Sequence, residues 1–161
     1  MIREGLAYVL SRADLVLVVG VMAFVGTFGL NFQLTSALMA THVYDKGAGE
    51  YGILGSTMAI GSIVGALLAA RREQPRLRLV VFAALAFGTM EIVIALMPTY
   101  LSFVAITPLI GITAMTTITS ANTFVQTTVP PALRGRVMAL YLMVFMGGAP
   151  LGSPRRRARG R

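Results

Sequence analysis

YGILGSTMAIGSIVGALLAA, residues 51–70, followed at once by RREQPRLR, residues 71–78, decides the fold. The first run carries no charge, and a helix of that length, at about 1.5 Å per residue, covers roughly the 30 Å of a bilayer's hydrocarbon. Arg71, Arg72, Arg76 and Arg78 then stand against a single acid, Glu73. A basic cluster on a short loop beside a span marks the cytoplasmic side of a membrane. The stretch reads as a membrane-crossing helix with its orientation written next to it.

The same alternation of apolar run and short polar loop extends both ways along the chain. Leu15 to Ala40 has no charge and is long enough to cross with tilt, although Asn31 and Gln33 fall in its second half. THVYDKGAGE, residues 41–50, is a polar turn. Leu79 to Leu96 forms a third span, ended by Pro98, and Tyr100 to Val125 a fourth, with Pro108 as an expected kink. QTTVPPALRGR, residues 126–136, reads as a breaker-rich loop. Val137 to Leu151 is a fifth apolar run, at about 22 Å too short to cross, which Gly147, Gly148, Pro150 and Gly152 are expected to break up. Before the first span, Ile2, Leu6, Val9 and Leu10 recur near helical spacing, so residues 1–14 are expected to form an amphipathic helix on the inner surface. The expected architecture is an all-α polytopic membrane bundle of four full spans and a truncated fifth. A basic, disordered tail, residues 153–161, completes it.

Composition agrees. Of 161 residues, 56% are hydrophobic and 12% charged, about half the charge of a soluble domain, and mean hydropathy is +0.77. The absence of cysteine excludes disulfides, thiol catalysis and Cys-based metal sites. His42, the one histidine, lacks the companions a metal site needs. No phosphate-binding Gly loop, nucleophile–base pair or carboxylate dyad is present, so no enzymatic activity and no cofactor are expected. The net charge of +8 does not point to nucleic acid, because five of the bases, Arg155, Arg156, Arg157, Arg159 and Arg161, lie in the tail. The others sit mostly in loops, as orientation signals do.

Three groups of membrane-depth residues are candidates for function. Thr113, Thr116, Thr117 and Ser120 share one face of the fourth span. Such a hydroxyl stripe lines a translocation pathway or bonds its own helix and its neighbours. Asn31 and Gln33 carry amides that cost a few kcal/mol each if left unpaired in hydrocarbon, so each faces protein or water. Two residues apart, they lie on different faces. Glu91 is the clear charge within an apolar run. A carboxylate there is a candidate proton carrier, or a structural group beside a polar neighbour. Gly61 and Gly65, with Ala69, repeat every four residues and are expected to let helix backbones approach closely, beside a second small stripe of Gly55, Ala59, Ser62 and Ala66.

Several of these pieces resemble the carboxy-terminal half of a major facilitator superfamily transporter, in the bacterial exporter branch that includes siderophore exporters and transmembrane secretion effectors. EGLAYVLSRADLVLVV, FGLNFQLTSALMA, YGILGSTMAIGSIVGALLAARR and VPPALRGRVMALYLMVFMGGAPLG carry the likeness, which covers about residues 4–152. The LRGRVMAL segment, residues 133–140, is its most specific part. The resemblance implies that the spans correspond to the seventh to tenth helices of a twelve-helix transporter, with a truncated eleventh. It also gives Arg71, Arg72, Arg134, Gly135 and Arg136 a place in cytoplasmic loop motifs. The implied activity is proton-driven efflux of small hydrophobic or amphipathic compounds, in the inner membrane. The missing amino-terminal half, or a second copy, is then an expected partner alongside the lipid bilayer. A chain that supplies one incomplete half is expected not to transport alone; the alternative reading is a remnant or accessory membrane subunit without transport activity.

Loop charge sets the topology. The amino-terminal segment, the loop after the second span and the loop after the fourth hold eight Lys and Arg, against Lys46 alone on the opposite side. Reporter fusions are expected to place residues 71–78 inside the cell with the amino terminus, and residues 41–50 outside. An external 71–78 loop would overturn this orientation.

Overall fold

In the computed structural model, residues 2–72 and 76–152 are described, and the tail expected to be disordered, residues 153–161, lies outside them. Among the described residues six α-helices follow in order: α1 (Ile2–Leu10), α2 (Ala13–Leu38), α3 (Ala48–Ala70), α4 (Leu77–Ala95), α5 (Tyr100–Thr128) and α6 (Pro131–Gly152). No strand occurs among the described residues. α2 continues through a π-helical segment, Met39–Val43. α2 with that extension, α3, α4 and α5 are long and apolar enough to cross a membrane. Large apolar side chains such as Ile60, Ile63, Phe82, Leu85, Ile92 and Leu101 point outward, as lipid-facing residues do.

Two differences from the sequence reading concern the carboxy-terminal end. The breaker-rich loop shrinks to Val129 and Pro130. Val129 is extended, as a residue before proline prefers. Pro131 then begins α6 as its first residue, a position where a missing N–H costs nothing, and the carbonyl of Pro130 accepts from Leu133 and Arg134. The fifth run is therefore not confined to residues 137–151. It is a helix of 22 residues, about 33 Å, continuous through Gly147 and Pro150. The LRGR motif lies in its opening turns rather than in a loop.

The bundle is built from two tight pairs, α3 on α5 and α2 on α6, with α4 packed on α5. Lipid tails are as apolar as the helices, so close backbone packing rather than water exclusion holds such pairs together. Gly61 and Gly65 show how. A Cβ on Gly61 would come within 2.0 Å of the Pro108 carbonyl oxygen, and one on Gly65 within 2.5 Å of that of Ile112. From the facing helix, a Cβ on Gly111 would in turn run into the Met58 carbonyl oxygen. In the other pair a Cβ on Gly26 would likewise run into the Phe145 carbonyl oxygen. α5 runs unbroken through Pro108, whose carbonyl is the one Gly61 receives.

Two buried clusters fill the bundle. Near α1 they include Val9, Leu15, Val18, Val80, Val125 and Tyr141; at the far end, Phe32, Leu54, Phe87, Ile94, Phe103 and Ile110. Tyr141 sits in the core. Tyr44 and Tyr100 do lie at a helix end, where their hydroxyls donate to the carbonyls of Met97 and Glu50, both at 2.7 Å. α1 docks on α6 through Gly5 and Val9 and leaves Leu6 and Leu10 exposed.

Replacing Gly61, Gly65 or Gly26 with Leu is expected to destabilise the bundle by about 1–3 kcal/mol, because a backbone must move to admit the side chain. Gly135 has nothing within reach of an added Cβ. Gly135→Ala is accordingly expected to gain about 0.5–1 kcal/mol from helix propensity. Unfolding titrations in mixed micelles read both signs. Unchanged stability in the first set would exclude the close approach.

Candidate functional site

α2 and α3 are each paired with another helix and touch one another little, which leaves a groove between them, floored by α5. Its volume is about 310 Å³, and its polar lining comes from Gln33 and Ser36 on α2, Tyr51 and Ser62 on α3, and Thr107 on α5. The space follows from the second small stripe. Gly55, Ala59 and Ser62 face the groove, and an added Cβ on Gly55 would meet nothing. Gly61, Gly65 and Ala69, on the adjoining face of α3, are buried. One stripe of small residues closes a helix pair and the other opens a cavity.

The groove's hydroxyls are stabilised locally. Ser36 donates to the Gln33 carbonyl at 3.0 Å and Thr107 to that of Phe103 at 2.9 Å. Tyr51 reaches across from α3 to the Gln33 carbonyl at 3.4 Å. Ser36, Tyr51, Ser62 and Thr107 were not singled out by sequence as lining residues. Ser62 was visible there as a member of a small-residue stripe, and Thr107 is one turn ahead of the hydroxyl face.

That hydroxyl face lies elsewhere on α5. Thr113 donates to the carbonyls of Leu109 (2.9 Å) and Ile110 (3.1 Å), and fully buried Thr117 to Thr113 (2.7 Å). Thr116 crosses to the Gly65 carbonyl at 3.3 Å and so adds to the α3–α5 pair. Ser120 is buried, and its hydroxyl has no partner among the described residues. None of the four lines the α2–α3 groove.

Asn31 and Gln33 part company as their spacing requires. Gln33 faces the groove toward α3. Asn31 faces α4, where with Thr35, Phe28 and Glu91 it lines a second cavity of about 270 Å³. Its amide donates to the Thr27 carbonyl at 2.5 Å. Asn31, Thr35 and Glu91 thus line one cavity. At the opposite end of the bundle Arg71, Arg72, Arg134 and Arg136 are exposed. Arg136 pairs with Glu4 and thereby ties α6 to α1. Gly135 sits between the two arginines on an open helix surface.

This arrangement offers membrane-buried polar surface, with no group of three His, Asp or Glu placed to hold a metal ion among the described residues. No curated protein and no solved structure matches the chain. A family model, described as transmembrane secretion effector, matches residues 1–155. With four helices able to span a membrane and a family match over nearly its whole length, the chain belongs to the transmembrane secretion effector family, transporters of the major facilitator type.

Proposed function

We propose that this chain forms one wall of the translocation pathway of a secondary exporter for small hydrophobic or amphipathic compounds, driven by the proton gradient across a bacterial inner membrane. The groove between α2 and α3 carries the reading. It is a mostly apolar recess carrying Gln33, Ser36, Tyr51, Ser62 and Thr107, on the helices that the resemblance equates with the seventh and eighth of a transporter. Substrate sites of such transporters lie near the midplane between repeats that rock against one another. Gln33, with Ser36, Ser62 and Thr107, would meet the substrate's polar groups, while Phe32, Leu54 and Met58 receive its apolar part. Asn31 and the stripe Thr113, Thr116, Thr117 and Ser120 support the wall from behind.

A single wall does not give alternating access. The complementary wall comes from an amino-terminal set of helices or from a second copy, which, inserted with the same orientation, would mimic two parallel halves. The basic segments about Arg71 and Arg134 keep the amino terminus and this end of the bundle cytoplasmic in this reading.

Because the protein has no cysteine, single cysteines can be introduced cleanly. Gln33→Cys and Ser62→Cys are expected to react with a membrane-impermeant thiol reagent much faster than Ile63→Cys, which points to lipid. Equal protection of all three would remove the groove from any aqueous pathway. The purified chain in proteoliposomes with an imposed proton gradient is expected to show no dye flux above empty vesicles. Reproducible flux that Gly55→Phe abolishes would instead identify the homodimer as the transporter.

A further inference from the structure

At the end of the bundle away from Tyr44 and Tyr100, positive charge goes unanswered by the protein. Arg71, Arg72, Arg76, Arg78 and Arg134 are exposed there and form no ion pair among the described residues. The acids that could meet them are taken, Glu4 by Arg136 and Asp14 by Arg12. Glu73, outside the described residues, is the one acid in residues 71–78 and can answer only one of the four arginines there.

The apolar surface that leads to these arginines is ordered too. On α3, Ile60, Val64, Leu67 and Arg71 recur three and four residues apart and so share one face, with Leu68 beside them. All five are exposed, in a strip that runs about 16 Å along the helix. On α4, Arg78, Phe82 and Leu85 repeat the pattern in the opposite chain direction, and they too are exposed. Each strip begins among lipid tails and finishes at a guanidinium.

We propose that this end of the bundle binds anionic phospholipid, the headgroup phosphate on the arginines of residues 71–78 and the acyl chains along the strips of α3 and α4. Guanidinium groups meet phosphate oxygens with paired N–H donors. Their long stems lie along apolar surface while the charge reaches the headgroups. Basic clusters beside membrane spans attract anionic lipid by the same electrostatics. A zwitterionic lipid carries an ammonium next to the same phosphate and cancels most of that attraction. Free phosphate could use the arginines but would leave the strips unused. The other end of the bundle supplies the contrast. There Lys46 stands against Asp45 and Glu50, and its ammonium lies over the Tyr100 ring, 5.8 Å from the centroid. The preference therefore belongs to one leaflet. Loop charge orients a chain while it inserts, whereas this site holds lipid on the finished bundle, and it does not rest on the transport reading.

The test offers the full chain, in detergent, equimolar phosphatidylglycerol and phosphatidylethanolamine with the same acyl chains. Lipid that stays with the protein through gel filtration is then extracted and quantified by mass spectrometry. Phosphatidylglycerol is expected to be retained about fivefold over phosphatidylethanolamine, and the two about equally in the variant Arg71→Gln/Arg72→Gln/Arg76→Gln/Arg78→Gln. Lysine at the same four positions keeps the charge and is expected to keep most of the preference. Lys46→Gln, at the other end, is expected to leave it unchanged. For the natural chain the preference is expected to shrink at least about twofold between roughly 50 and 500 mM salt. Inorganic phosphate at about 10 mM, near the low end of that range, is expected to leave the lipid in place, which separates a lipid seat from a phosphate site. Equal retention of the two lipids by the natural chain, a preference unaffected by salt or by the glutamine variant, equal loss in the lysine and glutamine variants, loss in Lys46→Gln, or displacement by phosphate would each overturn the proposal.

Discussion

The approach of backbone to backbone at glycine holds this bundle in its shape. Gly61 and Gly65 receive the carbonyls of Pro108 and Ile112, and Gly111 returns the contact against Met58. The separations leave no room for a methyl group. Dispersion between closely packed backbones replaces the hydrophobic effect, which does not act between helices in lipid. Thr116 adds a hydrogen bond to the Gly65 carbonyl along the same seam. With α3 drawn onto α5, and α2 drawn onto α6 at Gly26, the gap between α2 and α3 follows as a geometric consequence. The candidate pathway groove is what remains when the two pairs are satisfied.

A second constraint concerns hydroxyl and amide groups in a medium without water. Thr27, Asn31, Thr35, Thr89, Thr107, Thr113 and Thr117 each donate to the carbonyl one turn earlier on their own helix. This local bonding lets a polar side chain sit at membrane depth without a partner from another helix. It also weakens any inference from a polar stripe to a pathway, because the same residues serve both. Glu91 differs in kind. A carboxylate cannot donate to its own helix unless protonated, and Glu91 shares a cavity with Asn31 while its Oε1 has no hydrogen-bond partner among the described residues.

The two ends of the bundle are held by different means. At one, Tyr44 ties the turn after α2 to the turn after α4, Tyr100 ties the start of α5 to the start of α3, and the two rings meet edge to face with centroids 6.2 Å apart. At the other, α1 lies on α6 through Gly5 and Val9, and the exposed Glu4–Arg136 pair guides the contact more than it stabilises it. The arginine-rich end is thereby coupled to α6, one of the helices of the α2–α6 pair.

Spans, their number and the small-residue seam were legible in the sequence because each depends on local quantities: length without charge, and residue size at helical spacing. Asn31 and Gln33 were separable for the same reason, since two residues along a helix turn through more than a right angle. The start of α6 was not legible. VPPALRGR carries every mark of a loop, yet a proline pair both ends one helix and starts the next, and only the bond from the Pro130 carbonyl tells which. Sequence pointed to Gly61 and Gly65 as the closing stripe, but not to the opening of a cavity along the adjacent one. Gly61 and Gly55 are the same residue, and their roles diverge because Pro108 faces one and empty space the other. Which polar residues share a cavity was decided in the same way. Sequence separation placed Asn31 sixty residues from Glu91. The packing of α2 beside α4 puts them in one chamber, because cavity lining is a property of helix pairs and not of any single helix.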